Sequence, residues 1–177
     1  IGSHIVAELL QRGHEVTALV GTDIDTHLLA GLPVEVRVFD LRDRASVRSA
    51  LDGAETVVHS AACYAFWKAD PREIYRVNVD GTFFMCRAAI GPMRAQGSGA
   101  IVNFGSIWGG AGGKGHVAYA TAKGAVHNLT RSLALDHARE GIRVNAVCPG
   151  EVDTPMLRGA GRAVPMTDAQ LAEMADR

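Results

Sequence analysis

Tyr119-Ala120-Thr121-Ala122-Lys123 places a phenol and an ammonium four residues apart, the spacing at which two side chains share one helix face. A phenol ionises near pH ~10, too high for a base at neutral pH, and a neighbouring cation favours its ionised form. Such a pair can move a proton as a general acid or base. Taken alone the pentapeptide is common on ordinary helix surfaces, so its surroundings decide its meaning.

Ile101-Val102-Asn103-Phe104-Gly105-Ser106 reads as an apolar strand running into a serine. Open parallel sheets bind ligands at the carboxyl ends of their strands, which is where Ser106 would stand. A serine there also serves as a plain turn former. Ser106 precedes Tyr119 by thirteen residues, across the glycine-rich segment 105–116. Asn78, in Asn78-Val79-Asp80-Gly81-Thr82, is either a further polar group of the site or a helix asparagine bonded to its own backbone. Arg143–Gly150, followed by Val152-Asp153-Thr154-Pro155, reads as a strand leaving into a loop.

The elements that must position these residues follow from periodicity. Ile1, Ile5, Val6, Leu9 and Leu10 recur at helical spacing and Gly13 suits a left-handed cap, which predicts a helix over 3–12. Strands are predicted over Val16–Val20, Val34–Phe39, Thr56–His59, Ala100–Phe104 and Arg143–Val147. Helices are predicted over Ser46–Leu51, closed by Gly53, and over 71–93, with Pro71 at its first position and Pro92 as a kink or end. A further helix spans Tyr119–Arg139 and stops at Gly141, and Thr167 with Gln170 forms a capping box opening a last one. Alternating strands and helices predict an α/β fold, a doubly wound parallel sheet with right-handed crossovers and cover on both faces. No repeat or linker divides residues 1–177, which read as a single domain.

Composition narrows the partner class. A chain of 177 residues, 47% of them apolar, can bury a core. Its net charge of −1 with 21% charged residues leaves no electrostatic footprint for nucleic acid or an anionic membrane, so a small molecule is the expected partner. Cys63, Cys86 and Cys148 sit widely spaced in apolar runs and read as reduced, buried thiols. The seven histidines show no metal-ligand spacing, so no metal is expected. Without a long apolar run or a leader-like start, the expected location is the cytoplasm.

The order of strand, glycine-rich loop, and Tyr119 and Lys123 helix resembles the short-chain dehydrogenase/reductase superfamily. Residues 84–160 resemble its single-domain members, such as ketoacyl reductases and cyclic-alcohol dehydrogenases. The resemblance implies a Rossmann-like domain that transfers a hydride between NAD or NADP and an alcohol or carbonyl. It implies that Ser106 holds the substrate oxygen and Tyr119 exchanges the proton. Lys123 would bind the nicotinamide ribose and lower the tyrosine pKa, with the oxidised ring adding to that effect. Asn78 matches the asparagine that supports a water relay from the lysine. Pro149, Gly150, Val152 and Thr154 match the segment that lines the nicotinamide, with Thr154 and the Val152 backbone on its carboxamide.

Residues 1–82 resemble the extended branch of the same superfamily, which includes dihydroflavonol-reductase-like members. Ile1-Gly2-Ser3-His4 is similar to the end of its glycine-rich phosphate loop, with Gly2 as the last glycine. Asp40-Leu41 resembles the adenine-contacting pair, and Val58-His59-Ser60-Ala61-Ala62 the segment beside the cofactor ribose. Ala62 through Thr82 resembles hopanoid-associated sugar epimerases, and Phe66 and Trp67 there are a substrate wall or ordinary loop packing. The resemblance changes branch between Asn78 and Cys86, so the chain looks like a fusion of two related halves. Gly21 stands where an arginine often meets the 2′-phosphate. Asp23 and Asp25 then lean the cofactor towards NAD through a ribose hydroxyl, or form a solvated loop.

Set against the family topology, the first strand and the last edge strand are missing, and the chain reads as a fragment truncated at both ends. A central strand absent from the sheet would leave unpaired backbone groups and an apolar gap. The alternatives to an oxidoreductase are a nucleotide-sugar epimerase or dehydratase, and an inactive fragment. The resemblance also implies a homodimer or homotetramer built on helices 71–93 and 119–140, whose apolar faces could equally be core.

Overall fold

Helices and strands follow one another along the described residues of the computed structural model, which are 1–22, 24, 26–40, 43–63, 70–154 and 167–170. Helix α1 (Gly2–Gln11) leads into strand β1 (Thr17–Val20), and Gly13 takes the left-handed conformation expected of its cap. Strand β2 (Glu35–Val38) and helix α2 (Arg44–Ala50) follow. Helix α2 begins two residues before its predicted start, because the Asp43 side chain accepts a hydrogen bond from the Ala45 N–H at 2.9 Å. Strand β3 (Thr56–His59) has its predicted bounds.

A continuous helical stretch then runs through helix α3 (Pro71–Tyr75), a π turn over Arg76–Gly81 and helix α4 (Thr82–Gln96). Pro71 sits in the first turn as predicted, with the Asp70 side chain capping the Arg72 N–H at 3.0 Å. Pro92 neither ends the helix nor opens a new element: it lies inside α4, which continues to Gln96. Ile90 and Met93, buried on either side of it, hold the helix against the sheet despite the lost backbone bond.

Strand β4 (Gly99–Phe104) leads into a segment that was expected to be loop. It contains helix α5 (Trp108–Ala111), a single turn that packs on helix α6 (Val117–His137). Glycine permits that approach: a Cβ on Gly109 would lie 2.7 Å from the Lys123 backbone carbon. Strand β5 (Ile142–Val147) ends the sheet among the described residues. The predicted capping box is present, with the Gln170 N–H donating to Thr167 Oγ1 at 3.3 Å and Thr167 N–H to Gln170 Oε1 at 2.9 Å.

All strand pairings are parallel, as the alternation requires, but the strands do not form one sheet. Strands β1 and β2 pair with each other, and β3, β4 and β5 pair in that order. The described strands therefore form two parallel sheets, of two and three strands, rather than the single sheet expected. The core follows the larger sheet. Val57, Ile101, Ile142 and Val144 pack with Met85, Ile90 and Met93 of α4, and with Val47 of α2 and Leu51 just after it. Away from it cover is thin: no residue of α1 is buried, and Val36 and Val38 of β2 are exposed. The apolar face of α1 and the Val36 and Val38 face of β2, expected to be covered, therefore lack a complete packing partner among the described residues.

Gly141 joins α6 to β5 where the backbone tolerates no side chain. Its φ is +73°, and a Cβ there would lie 2.5 Å from the Gly97 carbonyl oxygen. Gly141→Ala is expected to lower stability by about 1–3 kcal/mol, seen as an earlier urea midpoint. An unchanged midpoint would show that this turn is not constrained as described.

Candidate active site

The carboxyl ends of β4 and β5 and one face of α6 converge on Tyr119, Lys123 and Ser106, all three of them buried. Their helix spacing does what the sequence suggested: the Lys123 ammonium lies 5.7 Å from the centroid of the Tyr119 ring. Tyr119 packs with Ile74 and Ala122, and its ring meets Trp108 edge-on at 6.2 Å. Trp108 in turn stacks on His116 at 4.3 Å, so the short helix α5 supplies an aromatic wall that the glycine-rich sequence concealed.

Lys123 Nζ donates to the Phe104 carbonyl at 2.7 Å, which ties the helix to the end of β4. Burial pushes its pKa down to about 8, partly offset by Cys148. Ser106 Oγ accepts from the Trp108 N–H at 3.3 Å, which orients the hydroxyl, and the Ser106 N–H donates to His127 Nε2 at 3.3 Å.

Asn78 is fully buried in the π turn. Its Oδ1 accepts from the Cys63 N–H at 3.2 Å, and its Nδ2 donates to the carbonyls of Cys63 at 2.9 Å and Ile74 at 3.0 Å. Thr82 Oγ1 donates to the Asn78 carbonyl at 2.7 Å. Side chains thus satisfy carbonyls that the widened turn displaces, and Asn78 clamps the chain after β3 to the helix below it. The reading of Asn78 as a helix asparagine bonded to its own backbone describes its bond to the Ile74 carbonyl.

Several groups escaped sequence reasoning. Asn103 Nδ2 donates to Thr130 Oγ1 at 3.0 Å, Thr130 Oγ1 donates to the Val126 carbonyl at 2.8 Å, and Cys86 Sγ lies 3.5 Å from Asn103 Oδ1. This buried network locks α4, β4 and α6 together beneath the site. Its only sequence signal is an asparagine inside an apolar strand. Burial pushes the Cys86 thiol up to about 11. Of the three cysteines only Cys86 is buried; Cys63 is half-buried and Cys148 exposed, because Cys148 falls just past β5 rather than within it.

His59 pairs in register with Asn103, so the two side chains leave the sheet on the same face. Its buried Nε2 has no hydrogen-bond partner among the described residues. Burial first, and the Lys123 ammonium second, push its pKa down to about 4. Unfolded chains take up this proton near 6.5 and the folded protein only near 4. The associated stability is therefore complete above pH 6.5 and lost as pH falls towards 4, by about 3 kcal/mol. His59→Gln should flatten the acid limb of a stability curve measured by urea unfolding, and an unaltered limb would contradict this assignment.

The described cofactor candidates lie at the start of α1 and just past the ends of β2, β3 and β5. Gly2 opens α1 beside β3, where a Cβ on it would lie 3.4 Å from Ser60 Oγ. Ser60, Ala61 and Ala62 are exposed past the end of β3, and Asp40, half-buried past β2, receives its place from a Ser46 Oγ contact to its N–H at 3.1 Å. Gly150 and Val152 are exposed past β5, with Pro149 and Thr154 half-buried. The Ile107 N–H donates to the Pro149 carbonyl at 3.1 Å, which joins this segment to the loop after Ser106. Asp23, Asp25, Leu41, Phe66 and Trp67 lie outside the described residues.

A nicotinamide nucleotide fits these positions in its chemistry. The Lys123 ammonium offers donors to ribose hydroxyls, the orphaned Nε2 of His59 offers a further polar atom, and the exposed backbone past β3 and β5 lies where open parallel sheets bind nucleotides. Gly2 stands at the N-terminus of α1, where backbone N–H groups suit a phosphate.

Parallel strands, helical crossovers and polar groups gathered at the strands' carboxyl ends define an α/β protein of the dinucleotide-fold class. The chain belongs to the short-chain dehydrogenase family, whose model matches residues 1–164. It is 41% identical over 126 residues to the inactive 2-(S)-hydroxypropyl-CoM dehydrogenase 2 of Xanthobacter autotrophicus, covering 64% of this chain and 55% of that protein. Over 84 residues it is 50% identical to 2-(R)-hydroxypropyl-CoM dehydrogenase of the same organism, covering 48% of this chain and 34% of that one. The oxidoreductase UcpA of Escherichia coli K12 is 33% identical over 95% of this chain and 63% of its own length. A solved short-chain dehydrogenase/reductase family oxidoreductase from Burkholderia thailandensis superposes with a TM-score of 0.75 at 32% identity, covering 88% of this chain and 67% of that one. The chain spans between a third and two thirds of these curated relatives. Among the described residues no helix is long and apolar enough to cross a membrane, and no group of three or more His, Cys, Asp or Glu could hold a metal ion.

Proposed function

We propose that this chain carries the catalytic part of an NAD(P)-dependent oxidoreductase that interconverts a small alcohol and its carbonyl. The observation that carries the reading is the buried Lys123 ammonium, 5.7 Å from the Tyr119 ring and fixed to the Phe104 carbonyl. When bound, the nicotinamide supplies the hydride acceptor or donor.

In this reading Tyr119 exchanges the proton of the substrate oxygen, while the hydride would be lost or gained at the carbon that bears it. Lys123 holds the ribose and favours the ionised phenol by its charge. That effect is strong because the site is screened from water by Trp108 and Ile74. Ser106 orients the substrate oxygen through its hydroxyl, and Asn78, which fixes the backbone of Cys63, supports a water relay from Lys123. Pro149, Gly150, Val152 and Thr154 line the nicotinamide; Gly2, Asp40, Ser60, Ala61 and Ala62 line the rest of the nucleotide, and Asp23 and Leu41 belong with them. The aspartate at position 23 favours NAD over NADP. Phe83, Phe84 and Leu135, exposed on α4 and α6, support a homodimer or homotetramer formed on those helices.

Titration with NADH and with NADPH, followed by nicotinamide fluorescence, tests the first step, with tighter binding of NADH expected. A panel of secondary alcohols with NAD⁺, followed by the absorbance of reduced nicotinamide, tests the second. Binding of neither nucleotide would contradict the proposal and favour a chain that no longer serves as an enzyme.

A further inference from the structure

Behind Ser106 the fold assembles a thiol and an imidazole that the proposed oxidoreduction does not use. Cys148 Sγ lies 3.2 Å from His127 Nε2, the same nitrogen that meets the Ser106 N–H at 3.3 Å. A backbone N–H only donates, so this nitrogen must be the unprotonated acceptor, and the thiol proton is directed at it. Burial, then Arg131 and Lys123, hold His127 below the usual imidazole range, which leaves it neutral and able to accept a proton at neutral pH.

The pair is held closely. Gly105 passes against both groups: a Cβ there would overlap His127 Nε2 and come within 2.8 Å of Cys148 Sγ. Both residues line an open cleft of about 490 Å³ between α6 and β5, with Leu135, Val144 and Ala146 as its apolar wall and Arg131 as its cation. Cys148 is exposed, whereas Cys86 is buried among apolar side chains. A nucleophile, a base, a space and an anion partner thus stand together.

We propose that Cys148 is a covalent modification site, a thiol that exchanges with small carboxylate-bearing disulfides in this cleft, with His127 as the base and Arg131 as the carboxylate anchor. Cys148 gives its proton to His127 Nε2 as its sulfur bonds to the nearer sulfur of the disulfide. The disulfide's own S–S bond breaks, and the departing thiolate takes the proton from His127. Cys148 is oxidised to a mixed disulfide and half of the reagent is reduced to a thiol, so no other oxidant is needed. While Nε2 holds the proton, and only then, it cannot accept from the Ser106 N–H. The modification stands on its own chemistry and does not rest on the oxidoreductase reading.

Oxidised glutathione serves as the anionic probe, hydroxyethyl disulfide as the neutral one and cystamine as the cationic one. Adduct formation is followed by intact mass and peptide mapping, which needs neither cofactor nor substrate. One adduct is expected, confined to Cys148 and absent in Cys148→Ser, with oxidised glutathione the fastest reagent. His127→Gln, which keeps an acceptor for the Ser106 N–H, should slow every reagent about tenfold. Arg131→Gln, on the surface, should remove the preference for oxidised glutathione and leave hydroxyethyl disulfide unchanged. Adducts spread over the three cysteines, no adduct at all, or equal rates for the three reagents would each overturn the proposal, as would a His127→Gln rate equal to wild type. Adduct formation in a chain that binds no nicotinamide nucleotide would uphold this site while contradicting the oxidoreductase reading.

Discussion

Tyr119→Phe is expected to lower turnover by about 10²–10⁴-fold while leaving the affinity for NADH essentially unchanged. The substitution keeps the ring that packs on Ile74 and Ala122 and meets Trp108 edge-on at 6.2 Å, so the fold and the aromatic wall should persist. Only the group that can exchange a proton is lost. Initial rates with an alcohol and NAD⁺, together with the fluorescence titration, separate the two effects. A variant that turns over at the wild-type rate would remove Tyr119 from the chemistry, and one that loses NADH affinity as well would assign it a binding role instead.

Lys123→Met should abolish measurable turnover and at the same time stabilise the protein at neutral pH. Burial has pushed the Lys123 pKa from 10.5 down to about 8, so the fold carries a charge it disfavours by about 3 kcal/mol. Losing the bond from Nζ to the Phe104 carbonyl at 2.7 Å returns about 1–3 kcal/mol of that. A net gain on the order of 1 kcal/mol is expected at pH 7. The pH dependence fixes the sign. Below about pH 8 both folded and unfolded wild type are protonated and the cost is complete. Between about 8 and 10.5 the unfolded chain holds more protons, so wild-type stability rises with pH and overtakes the variant. Urea midpoints of the two proteins from pH 7 to 10.5 check this, and a constant difference between them would contradict a depressed Lys123 pKa.

The parts of this molecule that were legible in its sequence are those set by local pattern. Short β-branched runs gave strands within a residue of their observed ends, since Val, Ile and Thr fit a pleated, half-buried surface. The four-residue step from Tyr119 to Lys123 gave a shared helix face, and Gly13, Gly53 and Gly141 marked element ends through their left-handed backbone. What stayed hidden depends on contacts between distant segments. Helix α5 forms in a glycine-rich stretch because Gly109 lets it sit against α6, and glycine content alone reads as loop. Pro92 is tolerated inside α4 because its neighbours are buried. The π turn at Asn78 needs Cys63, fifteen residues away, to occupy its side chain. His127 and Cys148 are twenty-one residues apart and meet only once α6 lies on β5. The grouping of the strands into two sheets, β1 with β2 and β3 with β4 and β5, is likewise set by pairing between distant segments, which local pattern does not encode.

Two layers of the site thus differ in origin. Tyr119 and Lys123 share a helix face through their four-residue spacing, and Ser106 stands just past the end of β4. The network of Asn103, Thr130 and Cys86 beneath them, and the His127 imidazole behind Ser106, are products of packing. Those supporting groups set how firmly the reactive ones are held, because their hydrogen bonds span three elements rather than one.

The most direct test of the central claim follows the transferred hydrogen itself. A secondary alcohol deuterated at its carbinol carbon is incubated with NAD⁺ and the protein, and the nicotinamide is analysed by mass spectrometry. Deuterium in the reduced nicotinamide with wild type, and none above background with Tyr119→Phe, is the predicted result. Label appearing equally with both proteins, or bound nucleotide that never acquires label from any alcohol of the panel, would contradict hydride transfer at this site.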